Sequence, residues 1–185
     1  VSRRGPVFVD DARFLRSATD RRVKVTLPGP MTMVDTLYDA HYRSREKLAW
    51  AFAEILNAEA REIAATGVDV IQFDEPAFNV FFDEVRDWGV RTLERAAAGL
   101  NCTTAVHICY GYGIKANIDW KNTLGSEWRQ YEQTFPLLAA SAIGSNCSTY
   151  LPRLSSRIAG SGVSSVGISF APITADTCSQ WRARI

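Results

Sequence analysis

Residues 68–76 read VDVIQFDEP, a short apolar run that ends in two acids and a proline. Apolar and β-branched residues over so few positions favour a buried strand, here 68–73, over a helix. Two other runs have the same form, at 23–27 before a Pro-Gly-Pro turn and at 103–108 before a Tyr- and Gly-rich loop. The sequence therefore predicts three buried strands, each ending at a polar or Gly/Pro-rich loop.

Helical patterns at 45–65, 85–98 and 127–140 separate or follow these strands. In the first, apolar residues recur at helical spacing, Ser44 is placed to cap the start, and Gly67 follows the end. Pro136 is expected to bend or split the last helix. Alternation of strands and helices predicts an α/β fold with parallel strands, either an open doubly wound sheet or a (β/α)8 barrel.

Polar residues collect where the strands end, and no complete Gly-rich phosphate loop follows a strand, which favours the barrel. A complete (β/α)8 TIM barrel takes about 250 residues. The prediction is therefore a partial barrel, and Val1 in place of Met suggests a start inside a longer protein.

The composition is typical of a soluble globular protein, with 185 residues, 46% hydrophobic, 22% charged and a net charge of +1. It gives no sign of a nucleic-acid partner, a membrane span or a signal peptide. The four cysteines form no disulfide framework, so reduced thiols and a cytoplasmic location are expected.

The composition changes near Ile143. Residues 144–185 contain nine serines and one acid, and their helical or strand periodicity is poor, with a weak strand pattern at 163–170. We therefore interpret 1–143 as the barrel portion and 144–185 as an aberrant Ser-rich tail, which a reading-frame change or a misjoined end would explain.

The pair His107 and Cys109 lies at the end of the third predicted strand. Imidazole and thiolate are ligands that zinc prefers. Residues i and i+2 of a strand share a face, so both side chains would point to one place while Ile108 packs behind them. The alternative is a core histidine bonded to a backbone carbonyl, beside a buried thiol.

Asp74 and Glu75 follow the second strand, and adjacent residues on a strand face opposite ways. Asp74 is in phase with Gln72 and Val70, so it is the acid expected to point into the barrel mouth. A fixed carboxylate there would suit a substrate ammonium group; the alternative is an Asp that caps the next loop.

Three motifs occur together in the order of a known family: LPGPMT at 27–32, IQFDEPA at 71–77 and VHICY at 106–110. Residues 1–143 resemble the C-terminal catalytic domain of cobalamin-independent methionine synthase, especially its short single-domain members. The resemblance implies a zinc that holds homocysteine as thiolate, which takes a methyl group from 5-methyltetrahydrofolate. His107 and Cys109 match two of the family's zinc ligands, and Asp74 matches the acid that binds the homocysteine amino group.

The chain departs from the family pattern in its last quarter. A Glu ligand in a Ser-Leu-Glu-Cys-like strand is expected soon after Ile143, where the sequence reads GSNCSTY, and the family's later Cys ligand is also missing. Cys147 and Cys178 lie in unrelated contexts. Thr36 stands where the double-domain enzymes place a pterin-stacking Trp, so another methyl donor, such as a methylated corrinoid protein, stays open.

Two alternatives remain from the sequence. One is an inactive, truncated barrel fragment. The other keeps the barrel but changes the reaction, as in barrels that resemble uroporphyrinogen decarboxylase or the corrinoid methyltransferases.

Overall fold

The computed structural model describes residues 1–109, 115–124 and 130–143. The Tyr- and Gly-rich stretch at 110–113 and the Ser-rich tail at 144–185, with Cys147 and Cys178, lie outside the described residues. The division of the chain into a barrel portion, 1–143, and a Ser-rich tail, 144–185, therefore stays a prediction.

Three parallel strands form one sheet, and their order in the sheet is their order in the chain. They are β1 (Lys24–Pro28), β2 (Val70–Asp74) and β3 (Thr103–His107). All three strands were predicted, with ends that differ by at most two residues. The α/β class and the parallel sheet are thus confirmed.

Seven α-helices occur in the described ranges, with a 3₁₀ turn at Pro76–Asn79 and a π-helical turn at Val85–Gly89. The helices are α1 (Val9–Ser17), α2 (Pro30–Asp35), α3 (Arg45–Ala64), α4 (Phe82–Glu84), α5 (Val90–Ala97), α6 (Lys115–Asn122) and α7 (Gln130–Ala139). The sequence did not predict α1, α2, α4 or α6, and it predicted one helix over 85–98, where a π-helical turn precedes α5. None of these helices is both long and apolar enough to cross a membrane.

Several local predictions are confirmed. The Ser44 hydroxyl accepts a hydrogen bond from the Lys47 amide at the start of α3, and Gly67 has a φ of +87° just after that helix. The split that was one of the two expectations at Pro136 does not occur, since α7 continues through this residue.

The two faces of the sheet differ in their surroundings. Leu27, Ile71, Phe73 and Val106 belong to the buried core, together with the apolar faces of α3 and α5. The opposite face carries Lys24 and Thr26, which are exposed, and Gln72 and Asp74, which are half-buried. Helices therefore cover one face, and the other carries these polar side chains together with the buried Val70 and Ala105.

Candidate functional site

The carboxyl ends of the three strands lie side by side. Pro28, Asp74 and His107 occupy equivalent positions in the register. The pairing continues past the strand ends, since the Gly29 amide donates to the Asp74 carbonyl at 2.8 Å and the Glu75 amide donates to the His107 carbonyl at 2.8 Å. Two of the three predicted site residues, Asp74 and His107, are thus neighbours on one edge.

Asp74 lies on the polar face of the sheet, in the predicted phase with Gln72. The Lys24 ammonium donates to Gln72 Oε1 at 2.7 Å, and Gln72 Nε2 donates to Asp74 Oδ1 at 2.7 Å. The lysine fixes which end of the amide faces the acid. Gln72 therefore holds one oxygen of the Asp74 carboxylate, Oδ1, and the side chain is half-buried at the edge of the sheet.

Glu75 faces the other way and is fully buried. Its Oε1 accepts from the Met31 amide at 3.0 Å, and its Oε2 accepts from the Thr32 amide and hydroxyl at 2.9 and 2.7 Å. Burial raises the pKa of Glu75 to about 7, although these hydrogen bonds favour its ionised form. The carboxyl group joins the end of β2 to the first turn of α2.

Gly29 makes this contact possible through its size. A Cβ atom at residue 29 would lie 2.1 Å from Glu75 Cδ and 2.2 Å from Glu75 Oε1. The backbone there is extended, with φ −81° and ψ 162°, a conformation open to any residue. The Gly-Pro-Met-Thr motif therefore carries a glycine because the Glu75 side chain occupies the adjacent space.

His107 and Cys109 are both half-buried, and Ile108 between them packs in the core as predicted. The strand ends at His107, so the rule that i and i+2 share a face does not extend strictly to Cys109. Within the described residues, no three His, Cys, Asp or Glu side chains group as a metal site. The nitrogen and sulfur of this pair fit zinc in kind and supply half of a four-ligand set.

Two side chains that the sequence did not point to hold the backbone of this segment. The Tyr131 hydroxyl of α7 donates to the Ile108 carbonyl at 3.1 Å, and Asn79 Nδ2 donates to the Cys109 carbonyl at 3.1 Å. These two contacts could not be predicted from the sequence, because each side chain binds a backbone carbonyl that lies far away along the chain. His41, the other histidine, is exposed.

Comparison with known proteins gives a consistent family. A family profile described as the catalytic domain of cobalamin-independent synthase matches residues 1–117. The solved structure of a B12-independent methionine synthase from Shewanella sp. W3-18-1, in complex with selenomethionine, superposes with a TM-score of 0.72. The two sequences are 72% identical over the matched region, which covers 77% of this chain and 42% of the Shewanella chain.

Curated relatives are more distant. A methionine synthase of Sulfurisphaera tokodaii is 31% identical over 125 residues, which is 63% of this chain and 37% of the relative. A 2-hydroxypropyl-CoM lyase of Xanthobacter autotrophicus is 35% identical over 112 residues, or 60% and 29% of the two chains. The chain thus spans less than half the length of each of these proteins.

Proposed function

Because this chain belongs to the cobalamin-independent methionine synthase family, we propose that it carries part of the active site of a zinc-dependent methyltransferase that makes methionine from homocysteine. The observation that carries the proposal is the register of Asp74 beside His107 at the carboxyl edge of the sheet, with Cys109 two residues further on. This edge would bring an amino-acid binding group next to two zinc-type ligands.

The same proposal includes the complete (β/α)8 barrel. In that barrel, consecutive parallel strands lie side by side and the helices pack on the outer face of the sheet. The three strands and helices described above have this arrangement. A doubly wound sheet has helices on both faces and a reversal of strand order. The polar face with Lys24, Gln72 and Asp74 would then line the barrel interior. The hydrogen bonds from Met31 and Thr32 to Glu75, here called the Glu75 latch, would lie in the barrel wall.

Each residue has a distinct role in the proposed site. His107 and Cys109 would hold the zinc, which when bound keeps a substrate thiol ionised at neutral pH. Asp74 would bind the substrate ammonium, with Gln72 fixing its Oδ1 and leaving Oδ2 as an acceptor. The thiolate would then attack the methyl carbon of the donor as the carbon–nitrogen bond breaks, and the donor's nitrogen would leave with the bonding electrons and take up a proton from solvent.

As a substrate-binding residue, Asp74 would suit homocysteine better than coenzyme M, the thiol in the name of the Xanthobacter autotrophicus relative. Coenzyme M carries a sulfonate and no ammonium, so a carboxylate at this position would repel it rather than bind it. For the donor we propose 5-methyltetrahydrofolate or a similar methyl-nitrogen compound. The cobalamin-independent family gives no support to a corrinoid protein as donor.

Zinc titration tests the metal part of the proposal. Since His107 and Cys109 are the two ligands proposed on this chain, His107→Ala or Cys109→Ala should each weaken zinc binding about tenfold or more, which is roughly 1.4 kcal/mol. Competition with a chromogenic chelator measures the affinity. His41→Ala and Cys102→Ala, at the other described histidine and cysteine, are the controls and should leave it unchanged.

The inactive-fragment alternative makes a different prediction for the same titration. A chain without the site would bind no stoichiometric zinc, and the four variants would be indistinguishable from the parent. That result would reject the proposed metal role of both residues.

Asp74→Asn tests the substrate part. It keeps the shape of the side chain but removes the charge, and it should weaken homocysteine binding roughly tenfold, because hydrogen bonds to charged groups contribute about 1.5–3 kcal/mol. Calorimetry with homocysteine and with mercaptobutyrate, which lacks the amino group, separates the two ends of the ligand. Mercaptobutyrate binding should not fall in this variant.

Asp83→Asn is the matched control, since Asp83 is an exposed acid away from the strand ends. Equal losses for both ligands in Asp74→Asn would show that the acid does not recognise the ammonium. Zinc affinity should be the same in all these proteins.

A further inference from the structure

We propose that Asn79 is a positioning residue for Cys109, and that its hydrogen bond to the Cys109 carbonyl sets the direction in which the thiol points. The inference rests on the proposed zinc role of Cys109. Asn79 would touch neither the metal nor the substrate.

Three successive carbonyl groups are fixed where β3 ends. The His107 carbonyl accepts from the Glu75 amide, the Ile108 carbonyl from the Tyr131 hydroxyl, and the Cys109 carbonyl from Asn79 Nδ2. Glu75 and Asn79 are the N-cap and the last residue of the 3₁₀ turn Pro76–Asn79, and Tyr131 lies in α7. Because each peptide group is planar and each residue has two soft dihedrals, fixing successive carbonyls fixes the Cα–Cβ directions between them.

Only the first of these bonds continues the ladder of the sheet. The other two hold a segment that has already left the strand, where regular pairing no longer sets the direction of the side chains. The bond from Asn79 fixes the peptide group that follows the Cys109 Cα, and the bond from Tyr131 fixes the one that precedes it. Asn79 therefore controls one of the two peptide groups that set the direction of the thiol.

Asn79 is itself rigidly placed. It is 3% exposed and ends the 3₁₀ turn Pro76–Asn79, which starts one residue after Glu75. Pro76 restricts the backbone at the start of this turn. The short segment 74–79 thus begins with Asp74 and ends with Asn79, which donates to the Cys109 carbonyl.

The cost of burying this amide supports a specific role. Asn79 Oδ1 is buried and has no hydrogen-bond partner in the described part of the chain, and such groups are uncommon in folded proteins. An apolar side chain of similar size would fill the space without that cost. The bond to Cys109 is what the apolar side chain would lack.

Cobalt titration of the chain tests the inference, because cobalt replaces zinc and a cysteine ligand gives a near-ultraviolet charge-transfer band. Asn79→Leu keeps the volume and removes the donor. Cobalt affinity should fall about 10–100-fold, as for other residues that orient a metal ligand, and the thiolate band should weaken relative to the bound metal. Thr92→Val, which removes a buried hydrogen bond made to Gly89 in the same region of the core, is the control and should change neither.

The outcomes separate the two proposals. A folded Asn79→Leu protein with parental affinity and band overturns the positioning role and leaves the zinc proposal intact. A parent chain whose band does not depend on Cys109 overturns both. If Asn79→Leu does not fold, Asn79→Asp gives the same readout with the shape retained, and failure of both to fold assigns Asn79 to the fold and rejects the positioning role.

Discussion

Gly29→Ala is expected to lower the free energy of unfolding by roughly 3–5 kcal/mol, since overpacking alone costs about 1–3 kcal/mol and loss of buried hydrogen bonds adds to it. The new methyl group would overlap Glu75 Cδ, Oε1 and Cγ, all within 2.4 Å. Glu75 is fully buried and is bonded to Met31 and Thr32, so it has no free space to enter. Urea denaturation of the variant and the parent measures the loss.

A second substitution separates the clash from a general intolerance of residue 29. Glu75→Ala removes the carboxyl group, so the methyl of Gly29→Ala should fit in that background and cost little more. The two substitutions should therefore be strongly non-additive. Gly5→Ala is the matched control, because a Cβ at Gly5 meets nothing within 4 Å. Additive losses, or a Gly29→Ala protein as stable as the parent, would contradict the proposed latch.

Glu59→Ala is expected to cost roughly 3–5 kcal/mol, the range found when one partner of a buried ion pair is removed. Its side chain is 5% exposed and accepts from Arg3 and from the Val7 and Phe8 amides immediately before α1. The substitution leaves the Arg3 guanidinium with a single acid and leaves the start of α1 without its acceptor. Thermal or urea unfolding reports the change.

Glu62→Ala is the control on the same helix. Glu62 also binds Arg3, but its side chain is 46% exposed, and exposed ion pairs contribute about 0–1 kcal/mol. The comparison holds the helix and the arginine constant, and it varies burial together with the two amide hydrogen bonds that Glu59 accepts. Similar losses for the two variants would mean that burial at Glu59 does not determine its contribution.

Local sequence patterns placed the strands within two residues because their causes are local. Alternation of apolar and polar residues assigned Asp74 and Gln72 to one face and Glu75 to the other. The same applies to Ser44 at the start of α3 and to Gly67 after its end, where the cap depends on neighbouring residues only. The helices α1, α2, α4 and α6 were not predicted, and the start of α1 depends on Glu59, which lies on another helix.

The motif residues could be identified in the sequence, but their arrangement could not be derived from it. Asp74 and His107 become neighbours only through the pairing of β2 with β3. The His-x-Cys spacing identified both residues, but β3 ends before Cys109, so the strand rule alone does not determine the direction of its thiol. Asn79 and Tyr131 carry no signal for their contacts, because any residue supplies the backbone carbonyls that they bind.

The sequence by itself determined the three strands and the helices α3, α5 and α7, which acid faces the polar side of the sheet, and which family the motifs resemble. These properties follow from side-chain period, capping and composition within a few residues. The tertiary structure alone decided that Glu75 latches the turn after β1 and that Asn79 holds the Cys109 carbonyl. Such contacts join groups 30 or more residues apart, and they exist only once folding has brought their elements together.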